Sequence, residues 1–172
     1  MRMIVATALL FLSTAARADA IGERTSRDLA HPPTANDVIG GLNAFGRFQQ
    51  GLLESADLKG NEEIRNIAAR RAEDAAKRDR TLKQIQTDIG AEPGTGKPPA
   101  ISGSLVGPDD SEGPAYVRKF YAAQIIEYES AIGLLQRYLQ APDNNTLGAF
   151  ARAQLPILRA ELRGVERVIA DK

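Results

Sequence analysis

Carboxylates and arginines are the side chains of this sequence best suited to chemistry, because the other reactive types are scarce. The 172 residues contain no cysteine and one histidine, His31. Thiol nucleophiles, disulfides, cysteine–zinc sites and any site that needs two histidines are therefore excluded. Asp74, Glu127 and Glu161 remain as weak candidates for a metal site made of oxygen ligands alone. We expect no metal there, because carboxylates on long helices usually face solvent or pair with arginine.

Two arginines interrupt the apolar face of one predicted helix. Arg71 and Arg78 fall in the same register as the alanines and leucines of that face. An interior guanidinium needs a carboxylate partner, since an unpaired buried charge is very costly. One hypothesis is that either arginine pairs across the protein with Glu161 or Glu127, which would form an interior polar lock. The alternative is that both side chains extend outward to water along the apolar face.

Other chemical motifs find no support in the sequence. His31 precedes two prolines outside every helical stripe, so it has no positioned partner and is interpreted as a linker residue. The run Gly94–Lys97 is followed by Pro98, whereas a phosphate-binding loop needs Ser or Thr there and a strand before it. Ser102 and Ser104 have no candidate base. We therefore predict no catalytic residue and no cofactor.

The charge balance also restricts the partners. Lysine and arginine number 22, aspartate and glutamate number 22, and the formal net charge is zero. Proteins that bind nucleic acid need an excess of positive charge to neutralise phosphates. We therefore expect no nucleic-acid partner.

Four apolar stripes predict four helices. Apolar residues recur at steps of three and four along 38–56, 64–89, 117–139 and 147–169. The segment 91–112 has four prolines and four glycines, too many for a regular element. Alternating strand patterns are absent. The sequence predicts an all-α antiparallel four-helix bundle over residues 36–172, with a long link at about 91–112 between helices two and three.

The fourth predicted helix contains a proline. Pro156 cannot donate the backbone hydrogen bond that a helix requires at its position. We expect a kink or a local opening of the helix near Arg152, unless a neighbouring group compensates for the lost bond.

The first 20 residues have the pattern of a secretory signal peptide. Arg2 precedes an apolar run over 3–12, and the small residues Ala16 and Ala18 follow. The apolar run is too short to span a bilayer. We expect cleavage after Ala18 or Ala20.

Export has consequences for the mature chain. Residues 21–35 would form a polar leader, and no later segment is apolar for long enough to anchor the protein in a membrane. The sequence therefore predicts a periplasmic or secreted protein without a transmembrane anchor.

The sequence resembles an uncharacterised family of exported bacterial helical-bundle proteins, domain of unknown function 4142, whose members are labelled predicted outer membrane proteins and regarded as ferritin-like. The residues that carry the resemblance are Asn61–Ala68, Asp74, Leu82, Tyr116–Ile132, Leu147–Ala151 and Leu155–Leu158. A proline inside a helix, as in the Leu-Pro-x-Leu run, is costly and therefore distinctive. The resemblance implies a ferritin-like bundle.

The sequence departs from that family at three positions. Members usually have an Asp-His pair in the second helix, a histidine in the third, and another after Leu-Pro-x-Leu. Ala75, Tyr128 and Glu161 stand at these positions here, and the Glu-x-x-His pairs of ferritin-like metal centres are also missing. Any metal role of the family's histidines therefore cannot be transferred to this chain.

Together these observations predict an exported, non-enzymatic binding or structural module of the bacterial cell envelope, with an envelope protein as its partner. An alternative is a ferritin-like metal- or oxidant-handling protein whose site uses carboxylates only. A third interpretation is that the long link or an exposed stripe docks into a groove of another protein.

Overall fold

The computed structural model describes residues 32–59, 62–91 and 113–170. These residues form four helices: α1 (Ala35–Lys59), α2 (Glu62–Asp88), α3 (Gly113–Tyr138) and α4 (Asn145–Ala170). No strand occurs in these ranges, so the predicted all-α four-helix bundle is confirmed. The predicted signal peptide, the leader up to residue 31 and the link over 92–112 lie outside the described residues.

Side-chain hydrogen bonds satisfy free amides at two helix starts. At α1, the Asp37 carboxylate accepts a hydrogen bond from the Thr34 amide at 2.8 Å, and the Asp37 amide donates to the Thr34 hydroxyl at 3.3 Å. This reciprocal arrangement is a capping box. At α4, the Asn144 side chain accepts a hydrogen bond from the Leu147 amide at 3.0 Å. Both starts are therefore fixed by local sequence.

The end of α2 is set by a glycine. Gly90 has a φ of +64°, a conformation that side chains with a Cβ rarely adopt. Its amide donates to the Thr87 carbonyl at 3.2 Å, and the Ala91 amide donates to the Gln86 carbonyl at 3.0 Å. This pair of bonds is a Schellman cap, which ends the helix just after Asp88.

Contacts between α1 and α3 fix the relative direction of these helices. The hydroxyls of Ser55 and Tyr116 are 3.0 Å apart, and the rings of Phe45 and Tyr128 meet edge to face with centroids 5.1 Å apart. A late residue of α1 thus meets an early residue of α3, and an earlier residue of α1 meets a later one. The two helices are antiparallel.

The directions of the other helices follow from their contacts in the same way. Arg71 of α2 contacts Glu161 of α4, and Arg78 lines a cavity with Gln154, so these two helices are antiparallel as well. A short turn over 139–144 joins α3 to α4. Helices α1 and α4 therefore run one way, and α2 and α3 the other. Consequently the last turn of α2 and the first turn of α3 lie at opposite ends of the bundle.

The core is continuous and rich in aromatic rings. The closest backbone packing joins α1 to α2, α3 to α4, and α1 to α3. The largest completely buried side chains come mainly from α1 and α3, and include Phe48, Phe120, Tyr121, Tyr128 and Tyr138. In the described ranges α2 and α4 approach less closely along their backbones, and long polar side chains span the space between them. No helix of these ranges has both the length and the hydropathy needed to cross a membrane.

Pro156 does not interrupt α4. Helical structure continues from Asn145 to Ala170, so α4 is one element with Pro156 inside it. Both Pro156 and Arg152 are exposed. The Arg152 carbonyl that loses its helical partner therefore lies in an exposed turn of the helix, where water can satisfy it.

Candidate functional site

An ion pair joins α2 to α4. The Nη1 atom of Arg71 is 3.2 Å from the Oε1 atom of Glu161, and the two side chains are 20% and 12% exposed. The structure thus brings together one of the pairs that the polar-lock hypothesis names. Arg71 does not extend freely into water. Because both charges are largely removed from solvent, each depends on the other for stabilisation.

Tyr128 of α3 joins this ion pair to the core. Its hydroxyl hydrogen-bonds to Glu161, and the Arg71 guanidinium lies over its ring with Cζ 5.7 Å from the centroid. Burial raises the pKa of the Tyr128 phenol strongly, and the Glu161 carboxylate raises it further, against a smaller lowering by Arg71. Tyr128 is therefore a neutral hydrogen-bond donor at physiological pH. We call Arg71, Tyr128 and Glu161 the polar cluster.

Arg78 lies about two helical turns after Arg71 on the same face of α2, but it has a different environment. Its side chain is buried at 5% exposure, and its Cζ is 4.9 Å from the centroid of the Phe45 ring. Its Nε and Nη2 atoms make no hydrogen bond within the described residues. Arg78 is therefore buried rather than extended outward, and it does not form the predicted ion pair with Glu161 or Glu127. The aromatic ring attracts the cation, while Glu161 is already bound by Arg71.

A carboxylate that the sequence analysis did not single out lies near Arg78. Asp79 packs against α1 at Gly46, where an added Cβ would overlap its carboxylate oxygens. Burial raises the pKa of Asp79, and the positive charges of Arg78 and Arg47 lower it by less. The sequence could have indicated Asp79 only through a glycine, Gly46, placed opposite it on the neighbouring helix. That signal can be read only once the facing sides of the two helices are known.

The three candidate metal ligands do not form one site: Asp74 and Glu161 line one cavity, and Glu127 is not part of its lining. Asp74 is exposed and lies 3.7 Å from the Lys77 ammonium. Glu127 is half-buried, and burial raises its pKa. Glu161 belongs to the polar cluster. Within 32–59, 62–91 and 113–170, no three histidine, aspartate or glutamate side chains are grouped so that they could hold a metal ion.

A cavity opens between α2 and α4 beside the polar cluster. Its volume is about 280 Å³. It is lined by Asp74, Lys77, Arg78, Thr81, Gln154, Ile157 and Glu161. A polar cavity of this size can admit a small molecule, and we call it the α2–α4 cleft.

Two glutamines form a second polar feature of the core. Gln49 of α1 is 1% exposed and Gln124 of α3 is 0% exposed. None of their amide nitrogen and oxygen atoms has a hydrogen-bond partner among the described residues. The antiparallel register of α1 and α3 places the two residues at the same level of the bundle. Both glutamines occupy positions in the apolar stripes of their helices. The search for polar residues in an apolar register, which identified Arg71 and Arg78, would also have identified them.

Comparison with protein-family profiles, curated proteins and solved structures gives no match to this sequence. The resemblance to the domain of unknown function family therefore stays a prediction that rests on the residues quoted for it. The role of the polar cluster and of the α2–α4 cleft has to be argued from their own geometry.

Proposed function

We propose that this chain is an exported, non-enzymatic binding module of the bacterial cell envelope, built on a ferritin-like four-helix bundle. The observation that carries the proposal is the ion pair of Arg71 and Glu161. Bundles that handle metals project free carboxylates from several helices into the core. Here the interior carboxylate is neutralised by an arginine 3.2 Å away and hydrogen-bonded by Tyr128, which removes it from metal chemistry.

The helix directions support a ferritin-like arrangement. Helices α2 and α3 run the same way, and ferritin-like bundles have one long crossover connection between helix pairs. The chain has 21 residues between Ala91 and Gly113 for such a connection. A simple up-down-up-down bundle would need only a short turn there.

The α2–α4 cleft supports a binding role over a purely structural one. It is polar, and Ile157 at its lining is a large apolar side chain with 47% exposure. Small-molecule sites are concave and combine apolar side chains with a few polar groups, and the cleft has this concave, mixed lining. Export is supported by the signal-peptide pattern of residues 1–20.

Export is tested by expressing the full chain in a Gram-negative host, separating the periplasmic fraction and determining the N-terminus by mass spectrometry. We expect a processed protein that begins at Asp19 or Ile21. Leu10→Arg, which breaks the apolar run, should leave the precursor in the cytoplasm, whereas Ser26→Arg in the leader should not. Unprocessed wild-type chain in the cytoplasm would contradict the proposal.

A further inference from the structure

An apolar groove lies between the first turns of α3 and the last turn of α4, and we call it the α3–α4 groove. Its volume is about 760 Å³, within the range of about 300–1,000 Å³ that small-molecule sites occupy. Its lining is mainly apolar and includes Pro114, Val117, Ala122 and Ile169, together with the buried Tyr121. It shares no lining residue with the α2–α4 cleft. The groove therefore has the size and the apolar walls needed to hold an alkyl chain.

Small residues on α3 leave the groove open. Ala122 contributes one methyl group to the wall, and a Cβ added at Gly113 would meet no atom within 4 Å. The opposite wall is Ile169 of α4, a large apolar side chain with 42% exposure. Contact of such a side chain with water is unfavourable, and this cost is removed when another apolar group covers it. The walls therefore favour a ligand with an apolar tail.

The charge at the rim indicates the other end of the ligand. Arg118 is the one charged side chain among the described residues that line the groove. It is exposed, so it can reach a ligand, and it makes no ion pair in the part of the chain that the structure describes. Burial raises the pKa of Tyr121, and the negative charge of Glu63 raises it further. An anionic group is therefore stabilised at Arg118 rather than at Tyr121.

We propose that the α3–α4 groove binds a free alkyl carboxylate, with its carboxylate at the Arg118 guanidinium and its alkyl chain against Val117 and Ile169. A guanidinium holds a carboxylate through two parallel hydrogen bonds, and the covered apolar side chains supply the remaining affinity. Residues 114–122 of α3 extend over about 12 Å, which suits an alkyl chain of medium length. The inference adds a ligand class to the proposed binding module and rests on that proposal only for its location in the envelope.

The test is isothermal titration calorimetry with sodium decanoate, on the protein as purified from the host of the export test. Sodium octanoate and sodium hexanoate shorten the tail, and decyltrimethylammonium bromide keeps the tail but reverses the charge. We expect decanoate to bind saturably with a dissociation constant below about 1 mM. Each methylene group removed from the tail should weaken binding about twofold to fourfold. The cationic amphiphile should bind at least about fivefold more weakly than decanoate.

Variants at exposed positions connect binding to the groove without disturbing the core. Arg118→Met should weaken decanoate binding about fivefold and leave the cationic amphiphile unaffected, whereas Arg159→Met, outside the lining on α4, should bind decanoate as the wild type does. Ile169→Ser should weaken both amphiphiles, whereas Ile126→Ser removes an isoleucine of 51% exposure outside the lining and should have no effect. Ala122→Phe should fill the groove and abolish binding. Each variant should keep the helicity of the wild type.

Several results would overturn the inference. They are the absence of saturable decanoate binding up to about 1 mM, binding of the cationic amphiphile as tight as that of decanoate, or equal losses in Ile169→Ser and Ile126→Ser. A dimer in analytical ultracentrifugation that Ala122→Phe dissociates would assign the groove to a second copy of the chain. Binding to phosphatidylglycerol vesicles without binding of decanoate would assign it to a membrane surface. Either assignment refutes the proposal.

The outcomes for the groove and for export are separable. A failed titration with correctly processed, exported protein refutes only the ligand assignment. A chain that stays in the cytoplasm refutes the proposed function even if decanoate binds.

Discussion

The ion pair of Arg71 and Glu161 should be energetically coupled, and a double-mutant cycle measures that coupling. The substitutions are Arg71→Met, which keeps an apolar stem, and Glu161→Gln, which keeps a hydrogen-bond acceptor for Tyr128. Each is made alone and both together. The coupling is the part of the stability loss that is not additive.

The structure gives the expected size of the coupling. At the 3.2 Å separation of Nη1 and Oε1, an effective dielectric constant of about 20 gives a gross attraction of about 5 kcal/mol. Exposures of 20% and 12% leave some screening by water, and burial of both charges adds a desolvation cost. We therefore expect a coupling of about 2 kcal/mol, with each single substitution costing about 2–3 kcal/mol.

A matched control lies on the same helix. Lys77 and Glu73 are only 2.9 Å apart, but their side chains are 56% and 67% exposed. Their contact lowers the pKa of Glu73 and raises that of Lys77, so the pair interacts favourably in a water-screened position. The cycle of Lys77→Met and Glu73→Gln should give a coupling close to the error of the measurement.

The assay is urea unfolding followed by far-ultraviolet circular dichroism, with the m-values compared to check two-state behaviour. Additive losses for Arg71→Met and Glu161→Gln would refute the reasoning. So would a coupling no larger than that of the exposed control pair.

Three further predictions concern buried polar groups. Burial raises the pKa of Tyr138 to about 12 and raises that of Tyr128 as well, so the folded protein holds these phenol protons more tightly than the unfolded chain does. The stability that these two protonated phenols give the folded protein is complete below about pH 10 and is lost as the pH rises toward their folded-state pKa values. Urea midpoints measured across alkaline pH test this loss. Gln124→Met should raise the free energy of unfolding by about 1 kcal/mol, because it removes a buried amide without hydrogen bonds; a lower urea midpoint would contradict this. Glu127→Gln should raise the thermal midpoint at neutral pH, since burial disfavours the ionised carboxylate, and the gain should vanish below about pH 4, where both side chains are neutral. A gain that persists unchanged in acid would show that charge is not its cause.

The helices were predictable because local signals specify them. Apolar periodicity places the four stripes, and Gly90 and Asn144 end or begin helices through their own backbone and side-chain chemistry. The effect of Pro156 was less predictable, because the cost of a proline depends on whether water can reach the freed carbonyl. That exposure is decided by how α4 packs.

The polar interior was predictable only in part. Register and charge identify Arg71 and Arg78 as interior cations and Glu161 as a partner. The sequence alone cannot decide which arginine pairs with which glutamate. The choice depends on the adjacency of α2 and α4 and on the rotation of each helix. The contact of Arg78 with the Phe45 ring and the fit of Asp79 against Gly46 depend on α1 in the same way, so neither was foreseen.

The central proposal is that the Arg71–Glu161 ion pair, and not a metal ion, neutralises the interior carboxylate between α2 and α4. Elemental analysis of the protein purified from the periplasm of metal-supplemented cells tests it most directly, because the carboxylate-only alternative requires bound metal at Asp74, Glu127 and Glu161. We expect iron, manganese and zinc to total well below one ion per chain. One or two ions per chain that survive gel filtration would contradict the claim and favour a metal-handling protein.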